Sequence, residues 1–118
     1  MSFKGTAMPH NFRNKAGAVL AVFASLAAAS IQAEPNMDMG RKLFNQTAVP
    51  ACAVCHALDH AGAQGAIGPN LDELRPDASR VEKALRNGIG QMPAFKGLSE
   101  EQIGTLAKYV ATATGASK

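Results

Sequence analysis

Cys52-Ala53-Val54-Cys55-His56 is the stretch of this 118-residue sequence whose residue types and spacing best suit chemistry. Two thiols two residues apart, followed at once by an imidazole, make a C-x-x-C-H run, the attachment signal of a c-type haem. The thiols can reach the two vinyl groups of one porphyrin. The imidazole is then held near the iron as an axial ligand. Three other uses of the same cysteines stay open. Zinc wants four ligands, and besides His56 the chain offers only His10 and His60, with no further cysteine. A thioredoxin-like pair needs a βαβ context, and no strand-rich stretch precedes Cys52. A structural disulfide is available to any exported pair.

A haem that carries electrons takes a sixth ligand from the protein. From Glu34 onward the candidates are Met37, Met39, His60 and Met92. Met92 is preferred. It lies in a loop well downstream of His56, with room to wrap to the other haem face, and Pro93 stiffens that loop. Gly88 and Gly90 let the backbone pass close to a porphyrin. The plain alternative for any Met is core filling, and Met37 and Met39 are read that way. His60 is too near His56 to reach the far face and is read as a surface histidine.

These residues must be delivered by a small chain. Residues 1–33 read as a cleavable export signal. Lys4, Arg13 and Lys15 form a basic start, Ala16 to Ser30 an uncharged alanine-rich run, and Ala33 a small residue at the cut. Cleavage after Ala28 or Ala29 is an alternative, and so is a retained anchor, although the run is weakly apolar for a span. The expected address is the periplasm. Residues 34–118 then form one domain. All nine acidic residues lie there, with nine of the twelve basic ones, so this part is formally neutral. That argues against nucleic acid as a partner. With no Trp, one Tyr and, after Ala33, only Phe44 and Phe95, the domain is short of large apolar side chains. A buried porphyrin would supply the missing body.

The positioning elements are read as helices and loops, with no strand pattern. Residues 37–46 have helical spacing at Met39, Leu43 and Phe44. Residues 50–60 hold the C-x-x-C-H run and a turn or short helix. Residues 61–70 are a glycine-rich connector. Residues 77–87 form a helix with Asp77 as N-cap, an apolar face of Val81, Ala84 and Leu85, and Gly88 at its end. After the loop 88–98, Ser99 and Gln102 make a capping box. Ile103, Leu106, Ala107, Tyr109 and Val110 form the stripe of the last helix, which Gly115 ends.

In combination these motifs resemble a bacterial class I cytochrome c: Cys52-x-x-Cys55-His56, Gly68-Pro69-Asn70-Leu71, Met92-Pro93-Ala94-Phe95 and the helix from Leu98 to Val110. The resemblance spans residues 37–113. It implies an all-α fold of three to four helices wrapped round one covalent haem c. It places the thioethers on Cys52 and Cys55, the proximal ligand on His56 and the distal ligand on Met92. It also has Pro69 give its carbonyl to the proximal imidazole, and it sets Gly40 and Phe44 where the first helix crosses the last near Tyr109. The short span between His56 and Met92 suits compact bacterial forms. The stretch from Gly68 to Asp77 and the loop from Gly88 to Phe95 are similar to small cytochromes that serve periplasmic sulfite dehydrogenases.

The function implied is one-electron transfer, with no substrate chemistry. Electrons would pass from a periplasmic dehydrogenase to an acceptor oxidase or cytochrome, and a membrane oxidase would be met only by transient docking. A haem subunit held tightly by one dehydrogenase is the alternative. An enzyme or gas sensor would need an open iron, and Met92 argues against that.

Overall fold

Met37–Lys42 forms the first helix, α1, because Asn36 caps it: its side chain accepts the Met39 N–H at 2.9 Å. The helix runs on into a wider π-helical turn, Leu43–Thr47. Its buried stripe is Gly40, Leu43 and Phe44, with Met37 packed on the core beside them. Met39 was expected on this stripe and is not there. It is 47% exposed, since at 100° per residue it falls well away from the face that Gly40 and Phe44 define. The structure, a computed structural model, describes residues 34–116 and Gly5. The expected signal, residues 1–33, otherwise lies outside the described residues.

Cys52–Cys55 is a single helical turn, α2. A two-stranded antiparallel hairpin follows, where the sequence shows no strand pattern. In it β1 (Ala57–Leu58) pairs with β2 (Ala63–Gln64), with Ala57 opposite Gln64 and Leu58 opposite Ala63. The single 3₁₀ turn Asp59–Ala61 joins them, and Gly62, at φ 66°, closes it. Next come the short α3 (Leu71–Leu74), α4 (Ala78–Asn87) and α5 (Glu100–Ala113).

The caps of the long helices follow the sequence. Asp77 accepts the Arg80 N–H at 2.8 Å, and Gly88 ends α4 at φ 70°. Ser99 and Gln102 form the reciprocal capping box of α5. The fold is all-α apart from the hairpin. Among the described residues five α-helices are present, of which α2 and α3 are four-residue turns.

α5 is the spine. α4 packs along it and α1 crosses it. The crossing depends on Gly40, because a Cβ there would overlap Cβ and Cγ of Tyr109. Phe44 and Tyr109 meet as tilted rings, centroids 6.2 Å apart. Leu43, Phe44, Leu58, Leu85, Leu106 and Tyr109 are the largest fully buried side chains. Arg75, in the left-handed region at φ 47°, ties the wall after α3 to the end of α5. Its guanidinium donates to the carbonyls of Thr114 at 3.1 Å and Gly115 at 2.9 Å.

Candidate functional site

α2 sets the two cysteines one turn apart, with Cys52 buried and Cys55 half-buried and no disulfide between them. Burial pushes the Cys52 thiol up to about 11, against a smaller lowering by its own backbone N–H. An unattached Cys52 is therefore a neutral thiol at pH 7 and a poor nucleophile. The described residues include no group of three or more His, Cys, Asp or Glu placed to hold a bare metal ion.

His56 leaves α2 in an extended conformation, its N–H bonded to the Cys52 carbonyl at 2.9 Å. Its Nδ1 lies 2.8 Å from the Pro69 carbonyl. A carbonyl can only accept, so this contact puts the proton on Nδ1 and leaves the Nε2 lone pair free for a metal. The segment that brings Pro69 there is itself fixed, because the Gly68 N–H donates to the Cys55 carbonyl at 2.7 Å. Only a glycine fits at that point: a Cβ on Gly68 would come within 2.6 Å of His56 Cε1.

Met92 sits on a tight turn. Ile89 and Met92 exchange N–H···O bonds of 3.0 and 2.9 Å. Gly90, at φ 56°, is in the tip of the turn. A Cβ on Gly88 would press within 2.8 Å of the Met92 carbonyl. The outgoing chain is pinned to α4 by the Phe95 N–H on the Leu85 carbonyl at 2.8 Å. The thioether is thus held by backbone on both sides.

Cys52, Cys55, His56, Pro69 and Met92 all line one cavity of about 860 Å³. Its remaining walls are chiefly apolar, with Phe44, Leu71, Leu85, Phe95, Leu106 and Val110 among them. The volume falls in the range of roughly 300–1,000 Å³ typical of cofactor sites. Two thiols, an imidazole with a free Nε2 and a thioether, opening into one apolar space, suit a covalently bound haem. Met37, Met39 and His60 do not line it. His60 is exposed, and its Nδ1 lies 2.9 Å from the Tyr109 hydroxyl, with the rings edge to face at 5.3 Å. Nothing in the local sequence marks that pairing, which joins residues 49 positions apart.

A family model described as cytochrome c oxidase, cbb3-type, subunit III matches residues 35–110. The chain belongs to this family of class I c-type cytochromes. The cytochrome is 38% identical over 76 residues to cytochrome c6 of Leptolyngbya boryana, covering 60% of this chain and 85% of that protein. It is also similar to the crystal structure of the c-type cytochrome SorU from Sinorhizobium meliloti. Identity there is 51% and the TM-score 0.65, over 67% of this chain and 91% of that one. Membership makes the cytochrome an electron-transfer protein and not an enzyme, and it implies covalently bound haem c.

The polar rim of the cavity, Arg80, Lys83, Asn87 and Gln91, is not among the candidate residues read from the sequence. A signal was present. Arg80, Lys83 and Asn87 recur at i, i+3 and i+7 along the same helix as the apolar Val81, Ala84 and Leu85.

Proposed function

We propose that the cytochrome is a periplasmic one-electron carrier holding a single haem, with thioethers on Cys52 and Cys55 and axial ligands His56 and Met92. The observation that carries this reading is the 2.8 Å contact of His56 Nδ1 with the Pro69 carbonyl, beside Met92 in the same cavity. When bound, the haem iron supplies an Fe(III)/Fe(II) couple. The protein's part is positional. Pro69 fixes the imidazole tautomer and ring plane and raises its basicity. The pinned turn presents the Met92 thioether, a ligand that favours a high potential. The apolar walls keep water out. His56 and Met92 would hold the iron from the protein's side and leave it no position for a substrate.

The donor we propose is a periplasmic sulfite dehydrogenase, and the acceptor an oxidase or a second cytochrome. Support comes from the likeness of the stretches 68–77 and 88–95 to cytochromes that serve such enzymes. Export by a signal cleaved near Ala33 is part of the same reading. Among the described residues no helix is long and apolar enough to cross a membrane. Docking is short-range and apolar: Ile67 and Ile89, 69% and 66% exposed, stand at the cavity rim.

The test is to add sulfite and a catalytic amount of sulfite dehydrogenase to the ferric protein at rising salt. Reduction with one c haem per chain and a rate nearly flat in salt is expected. Failure to be reduced rejects the donor, and a steep fall with salt rejects apolar docking. Co-purification with the dehydrogenase in fixed stoichiometry would instead mark a bound subunit.

A further inference from the structure

The cavity wall carries an uneven charge. Its lining includes two cations, Arg80 and Lys83, and no Asp or Glu. Residues 34–118 are formally neutral, so this is a matter of placement. Both cations come from α4, one helical turn apart, and Asn87 continues the row a turn later. Neither has a carboxylate within ion-pair distance among the described residues. Arg86, on the same helix but off the cavity, differs: it is paired with Glu82 at 3.0 Å and Glu100 at 2.7 Å. Asp77 is near Arg80 in sequence, but its carboxylate is engaged by the Arg80 backbone N–H and the Ser79 hydroxyl, each at 2.8 Å.

A haem has two ends of opposite character. Its vinyl edge is apolar and its other edge bears two carboxylates. Anchoring at Cys52 and Cys55 commits the vinyl edge to α2. The carboxylates would then lie elsewhere in the cavity, and a carboxylate against apolar side chains is costly unless paired. Beyond Arg80 and Lys83, the only group in the lining that could carry positive charge is His56, which as an iron ligand is neutral. Arg80 offers a planar fork suited to a carboxylate, Lys83 a mobile ammonium, and Asn87 an amide donor.

We infer that Arg80 and Lys83, assisted by Asn87, hold the carboxylate edge of the haem, and so fix its orientation and raise its potential. The inference rests on the haem reading of the site. Its electrostatic sign is definite. A cation near the iron disfavours the extra positive charge of Fe(III), and neutralising a carboxylate removes a charge that favours it. Losing either cation therefore lowers the potential. Arg80 and Lys83 are positioning residues, exposed at the rim, so their loss leaves the core intact.

The test uses the mature holoprotein with Arg80→Gln, Lys83→Gln and Arg80→Lys. Lys108→Gln on α5, exposed and off the cavity, is the control for a generic charge change. Two quantities are read: the midpoint potential, and the proton NMR signals of the CH₂ groups that bear the haem carboxylates. Each Gln variant should lower the potential and move those CH₂ signals, while the methyl signals beside the thioethers stay in place. Arg80→Lys should recover most of the potential, and Lys108→Gln should change neither quantity. Unaltered potential and CH₂ signals in both Gln variants would overturn the inference. Those results with slower reduction by the partner would assign the cations to docking on an acidic protein face, and overturn it equally. Equal potential shifts in Lys108→Gln would also reject it. A wild-type protein without c-type absorption would instead sink the underlying haem reading, an outcome distinct from all of these.

Discussion

Gly68 stands where a side chain would strike the His56 ring, and its own N–H is bonded to the Cys55 carbonyl. The residue therefore joins two jobs, keeping clear of the imidazole and aiming the next carbonyl, that of Pro69, at Nδ1. In Gly68→Ala the new methyl has to displace either the ring or the backbone that carries it. Overpacking of this kind costs about 1–3 kcal/mol, and here the strain falls on the proposed iron ligand. The expected outcome is a lower Tm for the holoprotein together with a disturbed Soret spectrum. A variant matching wild type in both would show that the Gly68–His56 contact is unimportant. His56 and Met92 were legible in the sequence as candidate ligands because ligand chemistry restricts such candidates to a few residue types. Arg80 and Lys83 were not singled out, because an exposed cation on a helix carries no such restriction until the wall beside it is known.

At the level of elements, the caps decide where α4 and α5 begin. Asp77 is held below its ordinary 3.8, first by the Arg80 backbone N–H and next by the Ser79 hydroxyl. Glu100, in the first turn of α5, is held below its ordinary 4.5 chiefly by the Arg86 guanidinium. A carboxyl depressed in the folded state binds its proton more readily when unfolded. Its stabilisation is therefore complete above the ordinary value and is lost as the pH falls through the lower folded one. Acid unfolding curves should show this loss beginning below about pH 4. Asp77→Asn keeps a capping oxygen but has no charge to titrate. Its Tm at pH 7 should lie near that of wild type, with a shallower decline in acid, whereas an unchanged acid slope would contradict the assignment. These caps were readable because a cap is a local pattern of four residues. The hairpin β1–β2 was not, since strands of two residues show no alternation. The π-helical turn after α1 was not either. Leu43 and Phe44 fit ordinary α-helical spacing, so the spacing alone does not mark the wider turn.

On the scale of the whole molecule, α5 and the helices on it form one wall of a space of about 860 Å³ in a chain with few large apolar residues. Unfilled, that space leaves its apolar walls facing water instead of packed against a partner, in a domain whose net stability is only roughly 5–15 kcal/mol. The haem-free chain should consequently lack a cooperative thermal melt, as judged by circular dichroism. A native-like transition without haem would show that the side chains suffice. The need for a large apolar insert was readable from composition, whereas the shape of the space was not, because residues far apart in the chain close it. Cys52, Cys55, His56 and Met92 are proposed to converge on one six-coordinate haem. An absorption spectrum of periplasmically matured protein, from the visible into the near-infrared, measured beside that of Met92→Ala, tests this convergence most directly. The expected result is c-type haem bands in both proteins and a weak Fe–S(Met) band in the ferric wild type that Met92→Ala loses. A colourless wild type, or a near-infrared band that survives Met92→Ala, would contradict it.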